Sequence, residues 1–258
     1  MLNIDLRDKV ALVLGGSRGI GGGITETFAR AGAKVVFTHR GNPSYRGRLE
    51  AMLSGLEQDG CEVEAVMADA CNSEDTDRTA RGIVSDHGRI DILVCNVGQN
   101  MARPVEDKSD EEWLNSVQIN LSSAFYGVRS ALPSMLEAGS GKIILIGSSA
   151  VFDGGGGAID YAAAKAGLVG VMRYLTRNYA RKGVITNVIH PCVIETDLLR
   201  ERYDDENKKK ALIAQVPVGR LGQPKDIAGL AAFLASSWGD FICGQEILVD
   251  GGRTFFRV

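Results

Sequence analysis

No stretch of this chain reaches the ~20 apolar residues that a membrane-spanning helix needs, and the opening segment MLNIDLRDKV carries charges from position 5 onward with no apolar signal region. A cytoplasmic location is therefore expected. A basic excess is also missing. With a formal charge of −3 the surface suits neither nucleic acid nor anionic lipid, and small or neutral partners are favoured. The five cysteines (Cys61, Cys71, Cys95, Cys192, Cys243) are odd in number and scattered, without C-x-x-C or Cys/His ligand spacing. This argues against a disulfide frame or a metal site and for free thiols.

Internal repeats, low-complexity linkers and shifts of composition are absent too, so residues 1–258 read as a single domain. Short β-branched runs alternate with longer segments of helical period: KVALVL (9–14), KVVFTH (34–39), EVEAVMAD (62–69), DILVCN (91–96), KIILIGS (142–148), ITNVIH (185–190) and EILVD (246–250). They are continuously apolar rather than alternating, as a parallel sheet covered on both faces requires. The predicted class is a doubly wound, Rossmann-type α/β fold with a seven-stranded parallel sheet. Ile20, Ile24 and Phe28 mark the first helix, SDEE (109–112) a capping box, and Pro224 a helix's first turn. Long helices are expected over 110–137 and 158–182, the second ending at Gly183. The charged stretch 200–210 reads as a solvated helix or loop, or as a flap over a site.

The glycine-rich segment LVLGGSRGIGGG (12–23) lacks both G-x-G-x-x-G and G-x-x-x-x-G-K-[ST]. Its spacing is G-x-x-x-G-x-G, at Gly15, Gly19 and Gly21, between a first strand and a helix, where phosphates approach backbone N–H groups. An acid after the second strand, the partner of a free ribose 2′-OH, is missing as well. His39 and Arg40 stand there, and Arg18 with Arg40 can clamp a 2′-phosphate, which favours NADP(H) over NAD(H). Gly22 and Gly23 have no role in this reading.

YAAAK (161–165) places Tyr161 and Lys165 on one helix face, where the cation would lower the phenol pKa toward that of a proton relay. Ser148, thirteen residues earlier, leaves the fifth strand at the carboxyl edge of the sheet and can stabilise a developing oxyanion. DGGGG (153–157) should form a roomy, flexible pocket wall. His87 and His190 read as structural.

Taken together, GGSRGIG (15–21), CNVG (95–98), IN (119–120), Ser148 with YAAAK, HPCVIET (190–196) and GQEILVDGG (244–252) resemble the short-chain dehydrogenase/reductase family over nearly the whole chain. VPVGRLGQPKDIAGLAAFLAS (216–236) is similar to the 3-oxoacyl-carrier-protein reductase branch. The resemblance implies a ketone or aldehyde reductase acting on a small-molecule carbonyl or alcohol, or on a carrier-protein thioester; the reading outside the enzymes is a non-catalytic NADP-binding regulator. It also implies a catalytic tetrad. Asn120 would hold a water leading to Lys165, Ser148 would orient the carbonyl, Tyr161 would pass the proton, and Lys165 would bind the nicotinamide ribose. Gly15, Gly19, Ile20 and Gly21 would line the pyrophosphate, Asp69 the adenine, Asn96 and Gly98 the adenosine side, and Ile194 with Thr196 the carboxamide. Ser17, Ala70, Tyr161 and Pro191 complete the implied cofactor set. A homotetramer or homodimer is implied, through the two long helices and the tail TFF (254–256). Four residues depart from the family pattern: Leu14 replaces threonine, Cys95 asparagine, Val97 alanine and Cys192 glycine. The last brings the turn beside the nicotinamide site into question, because a side chain restricts φ.

Overall fold

The computed structural model describes residues 4–196, 199 and 205–256. Seven parallel strands form one sheet in the order β3-β2-β1-β4-β5-β6-β7, with β1 at Val10–Leu14, β2 at Lys34–His39, β3 at Val63–Met67, β4 at Ile92–Cys95, β5 at Gly141–Ile146, β6 at Val184–Pro191 and β7 at Glu246–Val249. All seven coincide with the apolar runs. Continuous hydrophobicity has a direct cause: alternate residues of the central strands feed two cores. Ala11, Val13, Val35, Phe37, Ile92, Val94 and Ile144 face one core, and Leu12, Leu14, Val36, Leu93, Cys95, Ile143 and Leu145 face the other.

The first core is covered by α1 (Gly19–Arg30) and by a late helix at Pro224–Ala235. The second is covered by α3 (Ser73–His87), which follows α2 (Arg46–Gln58), and by α5 (Ser123–Ala138) and α7 (Ile159–Tyr179). Between them lie α4 (Asp110–Val117) and the single turn α6 (Ala150–Asp153). The late helices are α8 (Glu206–Ala214) and α9, the Pro224–Ala235 helix already named.

The predicted boundaries hold where side chains decide them. Ser109 and Glu112 form the capping box of α4, Pro224 opens α9, and Gly183 ends the segment after α7 with φ 86°. The expected continuous helix over 110–137 is instead interrupted by a π-helical turn at Gln118–Ser122. There the Asn120 amide donates to the Ser116 carbonyl at 3.0 Å, entering the helical ladder and widening the turn. Within the charged stretch 200–210, residues 200–204 lie outside the described residues; Asp205 caps α8 through the Asn207 N–H at 2.7 Å. Among the described residues, no helix is long and apolar enough to cross a membrane.

Candidate active site

At the carboxyl end of β1 the chain turns through Gly15 and Gly19, both at positive φ (74° and 56°), and enters α1. Close approach fixes glycine at Gly21, where a Cβ would lie 2.1 Å from the Gly15 carbonyl oxygen. Three side chains brace the loop. Thr38 Oγ1 accepts the Gly15 N–H at 3.0 Å, Thr25 donates to the Gly16 carbonyl at 3.0 Å, and Asn96 Nδ2 donates to the Gly15 carbonyl at 2.9 Å. Leu14, in place of a bracing threonine, faces the core and fills the space opposite Gly127. α1 has neither a side-chain cap nor an acidic residue in its first turn, so its leading N–H groups and positive dipole end suit an anion. Gly23 now has a role: a Cβ there would meet the Pro224 Cβ at 2.8 Å, so it permits the contact of α1 with α9. At Gly22 the nearest atom would stand at 3.5 Å, an ordinary contact.

Parallel pairing of β1 with β2 brings Arg18, His39 and Arg40 to one edge of the sheet. The Arg18 guanidinium lies 4.0 Å from the centre of the Tyr45 ring, a cation–π contact absent from the sequence reading. Arg40 is exposed. His39 accepts the Gly41 N–H at 3.1 Å, and burial lowers its pKa, so it presents a neutral ring. Asp69 is held through its backbone N–H by the Asp75 carboxylate at 3.0 Å and accepts the Cys71 N–H at 2.9 Å, with Ala70 buried beside it.

Ser148, Tyr161 and Lys165 converge where β5 and α7 meet. The Tyr161 pKa is raised, chiefly by burial; a hydrogen bond with Ser148 works the other way, and the neighbouring Cys192 thiol adds to the rise. Lys165 is buried, donates to the Ile146 carbonyl at 2.8 Å and has its pKa lowered to about 8 by desolvation. Its Nζ stands 6.0 Å from the centre of the Tyr161 ring. The lowered phenol pKa expected from the YAAAK spacing is therefore not found here: the ammonium is directed to backbone carbonyls, and burial dominates at the phenol. Asn120 clasps the backbone of Gln99, donating to its carbonyl at 2.9 Å and accepting its N–H at 3.0 Å. Gly98 fits between the two groups, since a Cβ there would lie 3.0 Å from Lys165 Nζ and 3.1 Å from Asn120 Oδ1.

Beyond β6, the N–H of Cys192 reaches the Val249 carbonyl at 3.3 Å, and Ile194 bridges to Gly222. The positive φ of this turn falls on Val193 (50°) and not on Cys192, which resolves how a side chain is accommodated after Pro191. Thr196 closes over the glycine loop, its Cγ2 only 3.2 Å from where a Gly19 Cβ would sit. Ser17 and Ile20 remain partly exposed in that loop. The DGGGG wall is better fastened than its composition suggests, because the Gly156 carbonyl accepts from Asn100 at 3.1 Å and that of Gly157 from the Arg103 N–H at 2.9 Å.

His190, read from the sequence as structural, has a specific partner in Ser148. His190 Nδ1 lies 3.2 Å from the Ser148 N and 3.0 Å from its carbonyl oxygen, and Gly147 makes room for the imidazole. The register Ile146↔Ile189 carries the signal: two residues leaving paired strands emerge side by side.

Comparison with known proteins agrees with this geometry. The family model described as enoyl-(acyl carrier protein) reductase matches residues 15–254. The 3-oxoacyl-[acyl-carrier-protein] reductase FabG of Escherichia coli is 37% identical over 249 residues, covering 96% of this chain and 98% of the relative. Among solved structures, a dehydrogenase/reductase from Sinorhizobium meliloti 1021 superposes with a TM-score of 0.88 at 34% identity, covering 97% of each chain. The Pseudomonas aeruginosa RhlG/NADP complex gives 0.89 at 29%, covering 98% of this chain and 99% of that one. None of these matches supports a non-catalytic regulator. With the glycine loop, the Ser148–Tyr161–Lys165 cluster and full-length similarity all in agreement, the chain belongs to the short-chain dehydrogenase/reductase family and is an oxidoreductase.

Proposed function

We propose that the protein interconverts a ketone or aldehyde and its alcohol, with NADP(H) preferred over NAD(H) and the whole chain acting as one domain. The observation that carries this reading is the Ser148–Tyr161–Lys165 cluster at the sheet edge that also bears the glycine loop. A bound nicotinamide would supply or accept the hydride. Gly15, Ser17, Gly19, Ile20 and Gly21 would hold its pyrophosphate at the N-terminus of α1. Asp69, Ala70, Asn96 and Gly98 form the adenosine side, and Pro191, Ile194 and Thr196 the nicotinamide side. Arg18 and Arg40 clamp the 2′-phosphate, beside His39.

Ser148 hydrogen-bonds the substrate oxygen while Tyr161 delivers its proton during reduction, or withdraws one during oxidation. The raised phenol pKa keeps that proton in place at neutral pH, as the reductive direction requires. Lys165 stands 6.0 Å from the centre of the Tyr161 ring, held by the Ile146 carbonyl, and Asn120 fixes the Gln99 backbone at the lysine's far side. A second reading, reduction of a 3-oxoacyl thioester on a carrier protein, is supported by the identity with the Escherichia coli reductase. A cytoplasmic homotetramer or homodimer belongs to the same proposal; exposed Leu114, Phe125 and Tyr174 on the long helices, and Phe255 and Phe256 in the tail, support it.

The test is a panel of ketones, aldehydes and acyl thioesters monitored by NADPH or NADH absorbance. Turnover with NADPH well above NADH is expected, and Arg18→Ala with Arg40→Ala should narrow the ratio by on the order of 10–100-fold. No turnover with either cofactor overturns the reaction; equal use of both overturns the clamp.

A further inference from the structure

Arg253 lies in the tail beyond β7, in a turn built on Asp250, whose carboxylate accepts the N–H groups of Gly252 at 2.8 Å and Thr254 at 2.7 Å. Its guanidinium is directed at the active site. Nη1 donates to Cys192 Sγ at 3.4 Å, two residues beyond His190, whose Nδ1 lies 3.0 Å from the Ser148 carbonyl oxygen. Nη2 donates to Gln215 Oε1 at 2.9 Å, while Nε is buried without a hydrogen-bond partner. Neither acceptor is a carboxylate. Among the described residues no carboxylate oxygen lies within the 4.0 Å of an ion pair with Arg253. Nearby acids are engaged elsewhere: Asp250 in its own turn, Asp226 with Arg220 at 2.6 Å, and Glu195 with Lys209 at 2.8 Å. A partly buried guanidinium served only by a thiol and an amide is poorly compensated, and a carboxylate is the group its planar fork matches. Apolar surface flanks it, since Phe255 packs edge-on against Phe152 at 5.9 Å.

We propose that Arg253 anchors the substrate, and that the preferred substrate is a small carbonyl compound bearing a carboxylate a few bonds from the reacting carbon, an oxo acid or the corresponding hydroxy acid. This rests on the oxidoreductase reading above and narrows its substrate class. The carboxylate would replace neutral partners at the guanidinium while the carbonyl oxygen reaches Ser148 and Tyr161.

The test compares straight-chain oxo acids, with one to three methylenes between ketone and carboxylate, against their methyl esters and against a 3-oxoacyl pantetheine thioester. For the wild-type protein kcat/KM should favour the best acid over its ester by on the order of 10–100-fold. Arg253→Met should bring that ratio near one, mainly through KM, and Arg253→Lys should keep part of it, since charge remains while the fork is lost. A wild-type ratio near one, or a ratio unchanged in Arg253→Met, overturns the anchor; so does a thioester preferred over every acid. If nothing is turned over, the oxidoreductase reading fails and calorimetry decides the anchor alone. Tighter binding of the acid to cofactor-loaded wild type than to Arg253→Met sustains it, and equal or absent binding overturns it. Circular dichroism and the thermal midpoint of each variant separate misfolding from lost recognition.

Discussion

The loop after β1 and the loop after β6 meet where Thr196 faces Gly19, but their backbones are held in different ways. In the first, positive φ falls only on glycine, at Gly15 and Gly19, and the loop presents main-chain N–H groups. In the second it falls on Val193, a β-branched residue for which the left-handed region is costly. Contacts sustain the second conformation: the Val193 carbonyl accepts the Gly222 N–H at 3.2 Å, and Glu195 N–H donates back to Gly222 at 2.7 Å. A backbone-built loop announces itself by glycine spacing, whereas a contact-built loop is readable only once its partners, distant in sequence, are known.

The largest expected effect lies with the chemistry between the two loops, on α7. Tyr161→Phe should reduce turnover by roughly 10²–10⁴-fold, the usual contribution of a positioned acid, while cofactor still binds at the first loop. Loss of cofactor affinity in parallel would break the separation of the two ends. Lys165 sharpens it through pH. Below about 8 the lysine is charged; above that value it loses its proton, and reductive turnover should fall about tenfold per pH unit. Stability should move in the opposite direction. Lysine in the unfolded chain keeps its proton to about 10.5, so from about 8 to about 10.5 unfolding takes up a proton at Lys165 and its contribution to stability rises with pH. The Cys71 and Cys95 thiols, raised by burial to about 11 and about 12, oppose it above about 9, so the lysine's part is read as the difference from Lys165→Met. Below that window the penalty of burying the charge is fully present. Parallel pH profiles of turnover and denaturant midpoint check both signs, and a flat rate across the window would remove the lysine from the rate.

Legibility follows the same division. The strands could be read because the central ones are apolar on both faces and the outer β3 and β7 still carry short β-branched runs, and the glycine loop because its spacing has few alternatives. Hidden from the sequence were the π-turn at Asn120, which depends on a side chain entering a helix ladder, and the Thr38 brace, which needs the β1–β2 register. The contacts of His190 and Arg253 were hidden for a similar reason: one depends on the pairing of β5 with β6, the other on a tail folding back toward Cys192. The YAAAK spacing placed Tyr161 and Lys165 correctly on one face, but it could not supply the burial that raises the phenol pKa.

Smaller effects test how finely the glycines are matched to their places. Gly23→Ala should destabilise by about 1–3 kcal/mol through overpacking against Pro224, whereas Gly22→Ala, buried but meeting nothing closer than 3.5 Å, should stabilise by roughly 0.5–1 kcal/mol. Chemical denaturation without cofactor reads both. Equal penalties at the two positions would show that the helix, rather than the α1–α9 contact, demands glycine.

The smallest expected effect bears most directly on the contrast between the loops. A non-glycine residue in the left-handed region costs roughly 1–2 kcal/mol, and glycine's added freedom in the unfolded chain costs about 0.5–1 kcal/mol in return. Val193→Gly should therefore raise stability by at most about 1 kcal/mol, whereas Gly19→Ala, at φ 56°, should lower it by about 1–2 kcal/mol. Val193→Ala separates the terms, because it keeps the strained Cβ and removes only the valine's outer methyl groups. If Val193→Gly lowers the denaturation midpoint as much as Val193→Ala does, the valine's contacts outweigh its strain, and the second loop is held by packing at that residue rather than by its bridge to Gly222.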